Sequence, residues 1–204
     1  MKLATLITIT TLAVTANISL QAKTSLGRSV TVYFDNGVVD SSVETPARGL
    51  ATKMFSNIDV KVNWRSGSPT RPEAGAIVVE FVTGTPATFK PGAMAYALPY
   101  EGVHIQILWD RIENHQNPSV VLAHVMVHEI THILQGEARH SATGIMKASW
   151  SREDLFAMAS KPLSFTDEDV EMIYRGMDGR QQHIGSVVAG AALGVTAAVG
   201  ISEK

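Results

Sequence analysis

Residues 117–136 read Asn117-Pro118-Ser119-Val120-Val121-Leu122-Ala123-His124-Val125-Met126-Val127-His128-Glu129-Ile130-Thr131-His132-Ile133-Leu134-Gln135-Gly136. Asn followed by Pro is a helix start, with Asn as cap and Pro at the first helical position. Gly136 is placed to end the helix, because glycine takes the left-handed conformation that closes a last turn. Between these signals the segment is apolar on nearly every side, so the helix is expected to lie inside the fold. A buried helix does not carry two imidazoles and a carboxylate without partners.

The spacing names the partner. His128 and His132 are four residues apart, so on a helix they share a face with Cβ atoms about 5–6 Å apart. Two imidazole nitrogens can then reach one zinc ion at ~2.0–2.1 Å. Glu129 follows the first ligand, so it points beside the metal, where it can take a proton from water and later return it to a leaving amine. His-Glu-x-x-His therefore describes a zinc site with a general base, the arrangement that hydrolyses peptide bonds. The competing reading, a surface helix with solvated polar groups, conflicts with the apolarity around it.

A catalytic zinc takes three protein ligands and keeps a position open. His140 is the favoured third ligand, since Gly136 can turn the chain back towards the metal. Glu153, on a predicted helix after Trp150, is the alternative, which would make a zinc hydrolase of another clan. A third possibility is a module that keeps the metal or binds protein without catalysis; Glu129 argues against it, because a purely structural site has no use for a base. His124 lies one turn before His128 and reads as a buried core histidine. Tyr96, Tyr100 and Trp150 are candidates for the cleft border, with ordinary packing favoured for each.

The run from His128 to Trp150, HEITHILQGEARHSATGIMKASW, resembles the metzincin clan of zinc peptidases, and most of all its compact secreted bacterial members. Their pattern is two helical His, a helix-ending Gly, a third His, and a tight turn with a Met beneath the metal. On this chain the pattern falls on His128, His132, Gly136, His140 and Met146, with Glu129 as the base. Gly136 lies four and His140 eight residues after His132, where the long motif has about three and six. The resemblance implies a zincin-like fold, in which an active-site helix packs on a mixed twisted sheet and a small helical subdomain follows. It also implies that Ala95, Tyr96 and Ala97 form an edge strand that pairs with extended peptide substrate.

The rest of the chain fits an α+β layout. Alternating β-rich runs occur at Ser29–Phe34, Val60–Trp64, Ala93–Leu98 and His104–Trp109, and Ala76–Val82 is apolar enough to be covered on both faces. Val43–Ile58 has helical spacing. Ser151–Ala159 and Thr166–Met177 read as further helices, the second capped by Thr166. The catalytic domain is expected over residues 23–180.

Both ends differ from it. Residues 1–22 carry Lys2, an apolar stretch, and small residues at Ala16 and Ala22, the features of an export signal. Its apolar run is shorter than the ~20 residues of a spanning helix. Residues 181–204 form a Gly/Ala/Val-rich tail, with Gly190 and Gly194 at four-residue spacing. Membrane association through this tail is weighed against a loosely helical or disordered segment, and the latter is favoured because Gly and Ala add little transfer energy. The 204 residues contain no cysteine, which excludes disulfides, thiolate ligands and Cys nucleophiles. Export without disulfides points to a bacterial secreted or cell-envelope protein. A net charge of −2, without a basic stripe, gives no footing for nucleic acid. The expected partner is a peptide or protein substrate.

Overall fold

The computed structural model describes residues 27–35, 37–70, 72–97 and 103–198. The export-signal segment 1–22 and Tyr100 lie outside them. Among the described residues, five strands form one sheet, β1 (Arg28–Phe34), β2 (Val60–Ser66), β3 (Ile77–Val82), β4 (Ala95–Ala97) and β5 (His104–Leu108), in the order β2-β1-β3-β5-β4. All neighbours are parallel except β4, which runs antiparallel to β5 at the edge. Four helices accompany them: α1 (Ser41–Ser56), α2 (Pro118–Gln135), α3 (Arg152–Ser160) and α4 (Asp167–Ala198). The result is a mixed α/β fold with a mostly parallel sheet.

Strand alternation decides which face is covered. Val30, Val32 and Phe34 of β1, Val60 and Val62 of β2, Ile77 and Val79 of β3, and Ile105 and Ile107 of β5 are buried in one core with α1 and α2. Lys61 and Gln106, at alternate positions, are exposed. The expectation that β3 is covered on both faces holds only at its start, where Val78 is buried; Glu80 and Val82 are half-exposed. An apolar run can sit on a one-sided sheet when one strand end alone is covered. Edge-to-face contacts link Trp64 to Phe34, Phe34 to Phe81 and Phe81 to Trp109, so aromatic rings seal the far ends of these strands.

α2 starts and stops where the sequence indicates. Pro118 opens it, and Gly136 closes it at φ 71° with its N–H bonded to the His132 carbonyl. Asn117 precedes the helix, but its side chain makes no capping bond; Pro118 lacks an N–H, so one of the orphan donors is already gone. The helix is buried along its length, from Val121 to Gln135, with Glu129 half-buried. Ser151 and Asp154 form a reciprocal capping box at α3.

α4 runs beyond Met177 to Ala198, through the 180/181 boundary and into the Gly/Ala/Val-rich segment. No helix among the described residues is long and apolar enough to cross a membrane. α4 approaches α2 at Gly176, where a Cβ would stand 2.0 Å from the Leu134 carbonyl oxygen. Only a residue without a side chain permits that approach.

Candidate metal centre

α2 brings His128 and His132 onto one face, with their Nε2 atoms 3.1 Å apart. Each ring is oriented from its other nitrogen. His128 Nδ1 lies 2.9 Å from the Ile145 carbonyl oxygen, and His132 Nδ1 lies 3.0 Å from that of Glu137. A carbonyl can only accept, so both Nδ1 atoms carry the proton and donate. Both Nε2 atoms are then lone-pair acceptors that face each other. Neither can donate to the other unless a ring takes a second proton. Burial opposes that, lowering the His128 pKa to about 4, against the partly compensating bond to Ile145. It lowers His132 as well. Two neutral acceptors converging at this distance suit a shared cation, which is the chemistry of a metal site.

His140 completes the group. One ligand atom from each of His128, His132 and His140 falls within 4.8 Å of the others. The His140 ring is 4.9 Å from that of His132 and 5.3 Å from that of His128, centroid to centroid. Desolvation and the nearby Lys90 ammonium both lower its pKa, which keeps the imidazole neutral and able to ligate. Two imidazoles come from the buried helix and the third, exposed, comes from the loop. An all-nitrogen set of three fits zinc with a position left for another ligand.

The loop carrying His140 is tightly held. Ser141 N–H donates to the Met146 carbonyl at 2.7 Å, and Ile145 N–H donates to the Ser164 carbonyl at 2.9 Å. Gly144 turns the chain at φ 76°, and a Cβ there would meet the Ser164 carbonyl oxygen at 2.3 Å. This turn presents the Ile145 carbonyl to His128 and buries Met146 completely beside the helix.

Glu129 is half-buried, and its carboxyl is shielded from solvent. Desolvation raises its pKa to about 7, and a hydrogen bond from the Ala97 backbone works in the opposite direction. The carboxyl is thus tied to the edge strand. Ala95 and Ala97 of β4 are half-buried and pack on the core, while the intervening Tyr96 is 53% exposed with its ring 6.5 Å from Phe89. The two alanines face the α2 side, and Tyr96 faces away. Asp110 and Arg111 brace the loop leading to β4. Asp110 accepts from Thr85 N at 3.0 Å, and Arg111 donates to the carbonyls of Lys90 and Ala93.

Other expected residues fall elsewhere. Glu153 is exposed in the first turn of α3, bonded to Ser151, and does not join the histidine group. A helix N-terminus already stabilises its charge. His124 is satisfied twice by backbone, through Val120 O at 2.7 Å and Leu163 N at 3.1 Å, as befits a core residue. The Trp150 ring stands edge-on to His128, 5.6 Å away.

Some contributors left no trace in side-chain identity, because they are backbone groups: the carbonyls of Glu137 and Ile145, and the N–H of Ala97. Asp169 is different. It is fully buried, and it holds the residues on either side of His140. The spacing Thr166-x-x-Asp169 is a capping-box signal that marks it.

No protein-family model and no curated protein matches this chain. Among solved structures, it is similar to archaemetzincin from Methanopyrus kandleri, with 14% identity and a TM-score of 0.49, over 74% of this chain and 97% of that one.

Proposed function

We propose that the chain is an exported zinc-dependent endopeptidase, with His128, His132 and His140 as metal ligands and Glu129 as general base. The observation that carries this reading is the opposed pair of Nε2 lone pairs, each ring locked by a backbone carbonyl and joined by a third imidazole. Zinc held there supplies Lewis acidity, which polarises a carbonyl and makes water acidic near neutral pH.

The protein's own groups do the rest. Glu129, with a pKa of about 7, takes a proton at its carboxylate oxygen and returns it at the same pH, as a base that becomes an acid must. The Ala97 N–H fixes where that carboxylate points. Among the described residues β4 pairs only with β5, which leaves its other edge open to a partner. An extended peptide laid along that edge would hydrogen-bond to its backbone and lie beside Glu129. Tyr96 faces away, so main-chain pairing and not its ring orients the substrate. Ala95 and Ala97 keep the rim low, and Met146 is buried in the core that also holds the helix. Export rests on the character of residues 1–22.

The test joins metal and activity. Purified wild-type protein is expected to bind one zinc and to cleave casein, with chelator abolishing cleavage. Glu129→Gln is expected to retain zinc and lose cleavage by about 100-fold or more. Undiminished casein cleavage by a zinc-loaded Glu129→Gln protein would overturn the general-base role.

A further inference from the structure

We propose that Asp169 is the positioning residue for the third metal ligand, holding both chain neighbours of His140. The inference rests on the assignment of His128, His132 and His140 as the ligand set.

The geometry divides one buried carboxylate between two tasks. Oδ1 accepts from Ser141 Oγ at 2.5 Å and from Arg139 Nη1 at 3.2 Å. Oδ2 accepts from Thr166 N at 2.9 Å and Thr166 Oγ1 at 2.7 Å, while Asp169 N–H donates to Thr166 Oγ1 at 3.2 Å. The second set is an ordinary capping box for α4. The first set is not needed for capping. It grips residues 139 and 141, so the backbone of His140 is fixed from both sides.

The surroundings reinforce this grip. Arg139 also pairs with Glu168 and lies 3.3 Å from Ser141 Oγ. Ser141 is bonded through its N–H to Met146 O. Gln135 Nε2, at the end of α2, donates to the Asp169 carbonyl at 3.3 Å. One residue of α4 thus touches the end of the ligand helix and the ligand loop. A charge that is fully buried is tolerated only with such partners, and it makes them hard to move. His140 is exposed, and among the described residues no carbonyl anchors its ring as Ile145 and Glu137 anchor His128 and His132, so its placement depends on its backbone.

Zinc affinity of the full chain, measured by competition with chelators, tests the inference. Asp169→Asn is expected to weaken zinc binding by about 10–100-fold. In a His140→Ala background the same change is expected to alter affinity by less than about 2-fold, because the ligand it positions is gone. A merely structural role would weaken binding equally in both backgrounds, and that result overturns the proposal. So does an affinity for Asp169→Asn within about 2-fold of wild type. Ser141→Ala removes one Oδ1 bond and leaves the cap intact, so it serves if Asp169→Asn does not fold. It should weaken zinc binding several-fold and show the same dependence on His140. Equal zinc affinity of His140→Ala and wild type would sink the ligand assignment itself, and the inference with it.

Discussion

Replacing Glu129 by Gln should stabilise the metal-free protein, and the gain should depend on pH. The carboxyl has a pKa of about 7 in the fold, against 4.5 for a free side chain. Each unit corresponds to about 1.4 kcal/mol, so holding the ionised form in the fold costs about 3 kcal/mol at the limit. The sign follows from linkage. Below pH 4.5 both folded and unfolded chains carry the proton, and the contribution to stability is complete. Above it the unfolded chain ionises first, and stability drains away until the folded carboxyl also ionises near pH 7. Gln has the same shape, can accept from Ala97, and carries no charge.

The advantage of Glu129→Gln over wild type should therefore grow with pH. It should be about 1 kcal/mol at pH 5, about 2 at pH 6 and about 3 at pH 7, then level off by pH 8. Urea unfolding of both proteins in chelator, at those pH values, measures the difference directly. The buried histidines titrate in both proteins, and none is among the causes of the Glu129 shift, so their acid loss cancels in the comparison. A difference that stays flat from pH 5 to pH 8 would refute the reasoning. It would mean that the carboxyl is hydrated, and that the proposed role as a neutral-pH base needs another origin.

Three further outcomes are expected. His140→Ala should lower zinc affinity at least about tenfold, whereas Glu153→Ala should leave it unchanged, as read by metal analysis after dialysis. Gly176→Ala drives a methyl into the Leu134 carbonyl, so α4 must shift from α2, and urea unfolding should report a loss of about 1–3 kcal/mol or more. Met146→Ala should cost about 2–5 kcal/mol as a fully buried deletion, and Met146→Leu under about 1.5, with zinc content retained in the Leu variant.

Much of the scaffold was legible because its signals are local. Pro118 and Gly136 bracket α2, and alternation in β1, β2 and β5 separates the covered face from the exposed one. The His128-Glu129-x-x-His132 spacing needed only helical geometry. The distance from His132 to His140 was harder, because a loop's reach depends on what braces it. Those braces are backbone carbonyls and residues near position 164–169, too distant in sequence for any periodicity to register. Asp169 shows the same effect: its capping spacing is visible, but its second oxygen's task exists only after the loop has docked. The length of α4 was underestimated because glycines at 176 and 179 lower helix propensity, while Gly176 sits against α2 in the structure. The half-exposed end of β3 shows the limit of reading burial from an apolar run.

The bracing of the ligand loop from behind has a consequence in time. Chains are made from the N-terminus, so α2 with His128 and His132 is made before the residues that brace the loop after it. Arg139 then waits 30 residues for Asp169. Ile145, whose carbonyl orients His128, gains its own anchor only when Ser164 arrives. Between His132 and Asp169 a growing chain therefore adds 37 residues while the loop that carries the third imidazole is not yet braced.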